Sequence, residues 1–264
     1  MINRSTPRLN VPTLDQILAF CAEDPVERVL LEDIARRGLG RFAAVREDGA
    51  VTALCHVGAN LVPAGEPCSA FAEHALRGRS KMIIGEEQAV SDLWEAIRDR
   101  LPRARDDRPG QPVYAIEEPP EPGMTGLRPA AVDDFAVLLP ACAAAHEEEI
   151  GTNPLAQDAE GFRWRTRAQI DEGRSWLWRE GGTICFKAEA SAWTPSAVQI
   201  QQVWVDPSVR GRGYAQRGIR DLCRLLLTRV PTVCLFVRPE NAPALHVYEA
   251  IGMRRALSFR SVIL

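Results

Sequence analysis

The sequence predicts an α/β (α+β) protein built in two parts of similar size. Three observations carry that expectation. The run Glu117-Glu118-Pro119-Pro120-Glu121-Pro122-Gly123 divides the chain near its middle; its prolines remove backbone donors and its acids keep it solvated, as in a linker. On each side of it, short apolar runs that read as strands alternate with stretches of helical periodicity. Residues 198–205 form the strongest strand pattern of the chain and run through a glycine-rich turn into an amphipathic helix. A length of 264 residues suits two domains of ordinary size. The expected division is residues 1–116, a linker at 117–124, and residues 125–264.

In the first half, residues 14–21 and 26–36 read as helices. Residues 41–57 read as a hairpin turning at Glu47-Asp48-Gly49. Residues 69–76 look helical and residues 82–85 look like a short strand. Leu93, Ile97 and Leu101 recur at spacing four within a helix over 90–101. Residues 103–112 read as a loop and 113–116 as a last short strand. In the second half, residues 131–146 form an apolar helix in which Pro140 is expected to kink or shorten the element. A helix over 162–172 follows, then a hairpin from 176–179 to 183–188 across Glu180-Gly181-Gly182. After the strand at 198–205 come a helix at 217–230, a strand at 233–237, a helix at 242–250 and a closing strand at 255–264. The two halves share a rough element order, which suggests a structural duplication without sequence repetition.

Apolar residues make up 46% and charged residues 25%, with a net charge of −3. That is the balance of a globular protein and lacks the clustered basic face of a nucleic-acid binder. The seven cysteines contain no CxxC pair and sit mostly in apolar runs, as reduced core residues do. The four histidines are scattered without ligand spacing, so no metal site is expected. The opening Met-Ile-Asn-Arg-Ser lacks the apolar core of a signal peptide, and no apolar run is long enough for a bilayer. A cytoplasmic protein without membrane or nucleic-acid partners is expected; oligomeric state is not readable.

Chemistry concentrates in two stretches. In the first, Asp206-Pro207 ends a buried strand and Arg210-Gly211-Arg212-Gly213-Tyr214-Ala215 leads into a helix. Gly211 and Gly213 permit unusual backbone angles, and the unpaired N–H groups of a first helical turn favour an anion such as a diphosphate. Arg210 and Arg212 add positive charge. The second stretch is Asn241-Ala-Pro-Ala-Leu-His-Val-Tyr248, followed by Gly252 and Met253.

The two stretches together resemble the GNAT superfamily of N-acetyltransferases. Arg210, Gly213 and Ala215 match its glycine-rich pattern; Asn241, Ala244, Tyr248, Gly252 and Met253 match its later one. The resemblance spans about residues 125–264. The whole chain also resembles an actinobacterial family in which a domain of unknown function precedes the GNAT domain. Glu148-Glu149-Ile150-Gly151 with Pro154, Phe186-Lys187-Ala188-Glu189 and residues 199–213 carry that likeness, with His56, residues 59–63 and Gln111-Pro112 in the first half.

The resemblance implies a GNAT fold with a mixed, strongly twisted sheet in the C-terminal half, preceded by a smaller α/β domain readable as a degenerate GNAT-like unit. It implies acetyl-CoA as acyl donor and a primary amine as acceptor, joined by direct attack in a ternary complex. Val203, Trp204 and Val205 would pair with the pantetheine arm. Arg210, Gly211, Arg212, Gly213, Tyr214 and Ala215 would hold the diphosphate. Asn241 would contact the cofactor and Tyr248 would protonate the leaving thiolate. Some GNAT enzymes place a glutamate base on the central strand; here that strand offers Gln199, Gln201 and Gln202, which cannot act as bases. Glu148, within the Glu147-Glu148-Glu149 run, is the preferred base and Glu189 the second, with a water chain as a further route. The first half lacks both motifs and is expected to close the substrate cleft or support its neighbour. Two other functions fit the same residues: a two-domain enzyme of small-metabolite synthesis, as in mycothiol formation, and a non-catalytic acyl-CoA sensor or scaffold.

Overall fold

The computed structural model describes residues 9–264; the opening pentapeptide read above lies outside them. The first half begins with α1 (Leu14–Ala22), started by a capping box in which the Thr13 hydroxyl accepts from Gln16 N–H and the Gln16 side chain accepts from Thr13 N–H. Then follow α2 (Val29–Arg36), β1 (Arg41–Glu47), β2 (Ala50–Val57) and β3 (Asn60–Gly65). Asp48 and Gly49, both at positive φ, make the tight turn between β1 and β2. A 3-10 turn leads into α3 (Ala72–Arg77), followed by β4 (Met82–Glu86), α4 (Glu87–Ile97) and β5 (Asp106–Ile116).

The second half opens on β6 (Arg128–Pro129), α5 (Phe135–Ile150), the single-turn α6 (Pro154–Gln157) and α7 (Ala159–Asp171). Strands β7 (Ser175–Glu180), β8 (Thr183–Trp193) and β9 (Ala197–Trp204) lead to α8 (Tyr214–Leu227), β10 (Thr232–Phe236), α9 (Ala242–Ala250) and β11 (Arg254–Ile263). From β1 and from β7 the same order runs twice: three antiparallel strands, a helix, a strand parallel to the third, a helix and a last strand. The duplication suggested by element order is thus present in the topology.

All strands form one mixed sheet in the order β1-β2-β3-β4-β11-β5-β10-β9-β8-β7-β6. The last strand of each half docks on the other half: β5 lies antiparallel to β10, and β11 lies antiparallel to β4. The two exchanged strands pair with each other at the centre. The sequence break at residue 117 is therefore not a break in the sheet. Helix α2 crosses as well. Its Val29 packs with Ala192, Ala197 and Cys234 of the second half, and its buried Asp33 accepts from both terminal nitrogens of Arg174, at 2.7 and 3.2 Å, and from Trp193 N–H. Helices cover both faces of the sheet, giving three layers.

Three local expectations change. Residues 106–112 are strand rather than loop: Asp107 pairs with Arg260 of β11 at 2.7 Å, and a register shift accommodates Pro109 and Gly110, the latter at φ 68. Residues 60–65 add a third strand, β3, to the hairpin expected over 41–57. Helix α5 runs through Pro140 to Ile150, where Gly151 closes it in the left-handed region at φ 78. All seven cysteines are free and buried.

The polar face of α8, which reads as solvated, instead binds the linker. Asp221 accepts from Gly123 N–H at 2.7 Å, Thr125 N–H at 2.9 Å and the Thr125 hydroxyl at 2.6 Å. Arg217 donates to the carbonyls of Gly123 and Met124, and Arg224 to that of Pro120. Gly123 has no room for a side chain, since a Cβ there would strike the Arg217 carbonyl. On the opposite face, Gly218 admits the ring of Phe186. Burial would raise the Asp221 carboxyl, but the Thr125 and Gly123 donors outweigh burial and hold it below its ordinary 3.8. Charge-assisted bonds of this kind predict a loss of about 1–3 kcal/mol for Asp221→Ala in denaturant unfolding. A lowered folded-state value means the contribution is complete above the unfolded-state value. It vanishes as pH falls through the folded one, so wild type and variant should converge in acid.

Candidate functional site

The site begins where two parallel strands part. Strands β9 and β10 pair over Ala197, Val198 and Gln199 against Thr232, Val233 and Cys234, and no further. Beyond Gln199 the strand β9 carries an extra residue relative to β8, with Lys187 opposite Trp204 but Glu189 opposite Gln201. Gln202 stands at this bulge at φ 53, an uncommon conformation for a non-glycine residue and one that costs about 1–2 kcal/mol. Its amide donates to the Glu149 carboxylate at 2.6 Å, which helps to hold it there. The parted strands leave a cavity of about 260 Å³ whose walls include Ile200 to Trp204, Leu235 to Arg238, Glu149, Asn241 and Tyr248.

A second cavity of about 550 Å³ shares Val203, Trp204, Asn241 and Tyr248 with the first and extends along Val205, Arg210, Gly211, Gly213, Tyr214 and Ala215. Gly211 and Gly213 stand at φ 76 and 77, and nothing lies within 4 Å of where a Cβ would be. Both glycines are therefore required by backbone angle rather than by crowding. Gly213 is the residue before the first turn of α8, and the first bond of the helix is Arg217 N–H to the Gly213 carbonyl. The N–H groups from Gly211 through Gln216 meet no acceptor among the described residues. Of these residues Gly211, Gly213, Tyr214, Ala215 and Gln216 line this cavity, at the positive end of the helix dipole.

The structure gathers Val203, Trp204, Val205, Arg210, Gly211, Gly213, Tyr214, Ala215, Asn241, Glu148 and Tyr248 around this one space. Several are already engaged. Arg210 donates Nε to the Val205 carbonyl at 3.0 Å and a terminal nitrogen to both Glu148 oxygens at 2.8 and 2.9 Å. Trp204 Nε1 also donates to Glu148, at 3.1 Å. Glu148 is thus an ion-paired strut between α5 and the glycine turn, which is poor equipment for a base. The Tyr214 phenol turns to Glu180, with its ring 4.9 Å from Trp178. Asn241 uses its side-chain oxygen to cap α9 through Ala244 N–H. Arg212 is exposed, does not line the cavity and has no ion pair among the described residues.

Tyr248 is buried and stands 6.1 Å, ring to ring, from Tyr114 of the exchanged strand β5. Burial pushes its phenol well above the ordinary 10, with Cys223 and Glu149 adding to the rise. The group is therefore a protonated donor at neutral pH. Glu189 is not in this cavity. It receives Lys187 Nζ at 2.6 Å and the Cys142 thiol at 3.2 Å, and it faces a separate pocket beside His146 and Gln201. Burial would discharge Lys187, but Glu189 beside it keeps the ammonium charged, and burial pushes the Cys142 thiol up to about 12. Lys187 thereby neutralises the second candidate base.

Sequence reasoning placed Glu149 in an acidic run without singling it out. The structure puts it at the wall between the Tyr248 cavity and a third space of about 560 Å³ that both halves enclose. Its signal was only that three consecutive acids at a helix end point three ways, so one of them must face the strands.

Among the described residues the first half carries no counterpart of the glycine turn. After β3 the N–H of Ser69 is taken by the Asp92 carboxylate at 2.8 Å, which puts negative charge where the second half offers bare amides.

A family model of the acetyltransferase (GNAT) family matches residues 142–253, and one of a domain of unknown function, DUF4081, matches residues 40–138. The N-alpha-acetyltransferase RimI of Mycobacterium tuberculosis is 35% identical over 80 residues, which are 29% of this chain and 49% of that protein. The chain thus spans about half the length of the curated relative it matches. Among solved structures, a GNAT-family acetyltransferase from Colwellia psychrerythraea superposes with a TM-score of 0.61 at 12% identity, covering 97% of this chain and 99% of that one. A tandem GNAT protein from the clavulanic acid biosynthesis pathway gives 0.55 at 14% identity, covering 96% and 98%. These two likenesses speak for the fold. With the family match over 142–253 and both motifs at one site, the C-terminal half of this chain carries a domain of the GNAT acetyltransferase family, with a DUF4081 domain ahead of it.

Proposed function

We propose that this chain transfers an acetyl group from acetyl-CoA to a primary amine by direct attack in a ternary complex. The observation that carries the reading is that a bare helix start and an unpaired strand edge open onto one buried, protonated tyrosine. Acetyl-CoA, when bound, supplies an activated thioester. The amides of Gly211 through Gln216 and the α8 dipole are suited to its diphosphate. Arg212 supplies charge from outside the cavity. Arg210, whose charge Glu148 already balances, fixes the turn. The backbone of Val203 and Trp204 pairs with the amide-bearing arm, since β10 has left that edge free. The Val205 carbonyl does not take part, because Arg210 occupies it.

Glu149 takes the proton from the amine, and Tyr248 gives one to the departing thiolate. Main-chain N–H groups at the splay polarise the thioester carbonyl. Holding both reactants across this gap provides most of the rate advantage. The same reading places the protein in the cytoplasm, beside its acyl donor. The name of the curated relative makes a protein α-amine one acceptor to test.

Calorimetry should detect acetyl-CoA binding to the wild-type chain. Gly213→Val should weaken it by about tenfold or more, because a β-branched residue cannot hold φ 77 without strain and the amides turn away. An unchanged affinity would remove the helix start from the site. Tyr248→Phe should bind acetyl-CoA normally and lose about 10²-fold in kcat. Glu149→Gln should lose on the order of 10²-fold in kcat, and Glu148→Gln less than about tenfold. The reverse order would return the base role to Glu148.

A further inference from the structure

Two spaces meet behind the Tyr248 cavity. One is the inter-half space of about 560 Å³, onto which Glu149 faces. The other is the pocket beside Glu189, of about 200 Å³, walled by α5, α7, β8 and β9. The smaller one has room for about six waters, and the exposed Arg165 forms part of its wall. Three side chains line both spaces: His146, Gln201 and Gln202. Two of them are amides, which neither take up nor release a proton near neutrality. The third is an imidazole, which does both.

His146 sits on α5 one turn before Glu149, at the spacing that puts both on one helix face. Its ring meets Phe162 edge-on, with centroids 6.0 Å apart. It makes no hydrogen bond or ion pair among the described residues, and its nitrogens are not among the sealed polar atoms. They are therefore open to the spaces that the ring lines.

Titratable groups approach the ring from several elements. Cys142 and Glu149 flank it on α5, Arg165 comes from α7, Arg105 from ahead of β5, and Glu189 from β8 with its partner Lys187. Across the larger space stand His56, Asp33, Arg37 and Arg108, the last three paired with opposite charges. Burial is the largest influence and holds the imidazole below its ordinary 6.5; Glu149 works against it, while Arg165 and Arg105 add to it. At neutral pH the ring is thus uncharged and free to accept a proton.

Acyl transfer from a thioester to a primary ammonium yields an amide, a thiol and one proton in excess. The nitrogen loses two protons. One replaces the proton that Tyr248 gives to the sulfur, and the other must reach bulk water in every turnover. Glu149 is bonded to the Gln202 amide and faces the enclosed cleft, so a proton taken up there needs an exit. We propose that His146 is this exit: it takes the proton from Glu149 through water in the larger space and passes it to water in the smaller one. His146 touches neither reactant and acts through Glu149, so it is a relay rather than a catalytic residue. The assignment rests on the acyl-transfer reading and adds a residue to it.

The test is the rate of coenzyme A release by the full chain, with saturating acetyl-CoA and a library of small primary amines and peptides with a free α-amine. At about pH 7 a peptide α-amine arrives mostly as ammonium; at about pH 9.5 it arrives neutral, and the proton it loses on attack can follow the sulfur. His146→Asn and His146→Ala should each lose about tenfold or more in kcat at the lower pH, keep the KM for acetyl-CoA, and approach wild type at the higher. Added imidazole should restore His146→Ala at the lower pH and leave wild type unchanged. With no acceptor present, NMR should show the His146 ring titrating below 6.5, and Glu149→Gln should move that titration lower still, since the Glu149 charge favours the imidazolium. A ring indifferent to Glu149→Gln overturns the relay whatever the turnover. An active wild type with variants equal to it also overturns the relay, as does a loss that is the same at both pH values and unmoved by imidazole; either result leaves the acyl-transfer reading standing. No release by wild type with any amine of the library takes down that reading and the relay with it.

Discussion

The site depends on one backbone event, the parting of β9 from β10 after Gln199 and Cys234. Parallel strands that stay paired leave nothing for a ligand; strands that part inside a sheet expose donors and acceptors in a water-poor place. The bulge at Gln202 is the local cause, and its left-handed residue is strain of a kind that gathers at functional positions. Glu149 helps to hold the bulge through the Gln202 amide and also faces the cavity beside it. The residue that stabilises the opening and the residue best placed to work in it are the same one.

The exchange of final strands makes that opening a property of the whole chain. Strand β5, from the first half, is the neighbour that β10 keeps when it leaves β9, and Tyr114 on it stands against Tyr248. Asp33 on α2 grips Arg174 and the Trp193 N–H at the other side of the cleft. Breaking a buried pair of this kind leaves an uncompensated charge, so the halves are held in a fixed relation rather than hinged on a tether. The linker has little freedom of its own, since Asp221, Arg217 and Arg224 bind it along α8. Duplication has left the halves chemically unequal. One ends its third strand in free amides, and the other closes the same position with Asp92.

Much of this was written in local signals. The glycines at 211 and 213 and the run from Asn241 to Tyr248 stand together because their spacing encodes a strand, a turn and two helix starts. Helix and hairpin periodicities located most elements. What escaped was decided by contacts far apart in sequence. Asp106 to Gly110 has turn composition, yet cross-strand pairing and the Asp107–Arg260 ion pair make it strand. Nothing in β5 or β11 announces that each will pair across the halves, since an apolar strand does not name its neighbour. Glu148 and Glu149 are indistinguishable in sequence. Only the helix phase of α5 sends one to Arg210 and the other to Gln202. Glu189 looked available because its neutralising partner, Lys187, is two residues away on the same strand and both side chains turn to the same face.

Amide NMR of the labelled chain tests the central claim most directly, because it observes the unpaired backbone itself. On addition of coenzyme A, the N–H signals of Gly211 to Gln216 should move downfield and slow in solvent exchange, as donors do on meeting a diphosphate. The amides of β9 beyond Gln199 should change with them, and those around Ser69 should stay still. Unaltered signals in the 211–216 turn under saturating ligand, or equal changes at Ser69, would contradict the account.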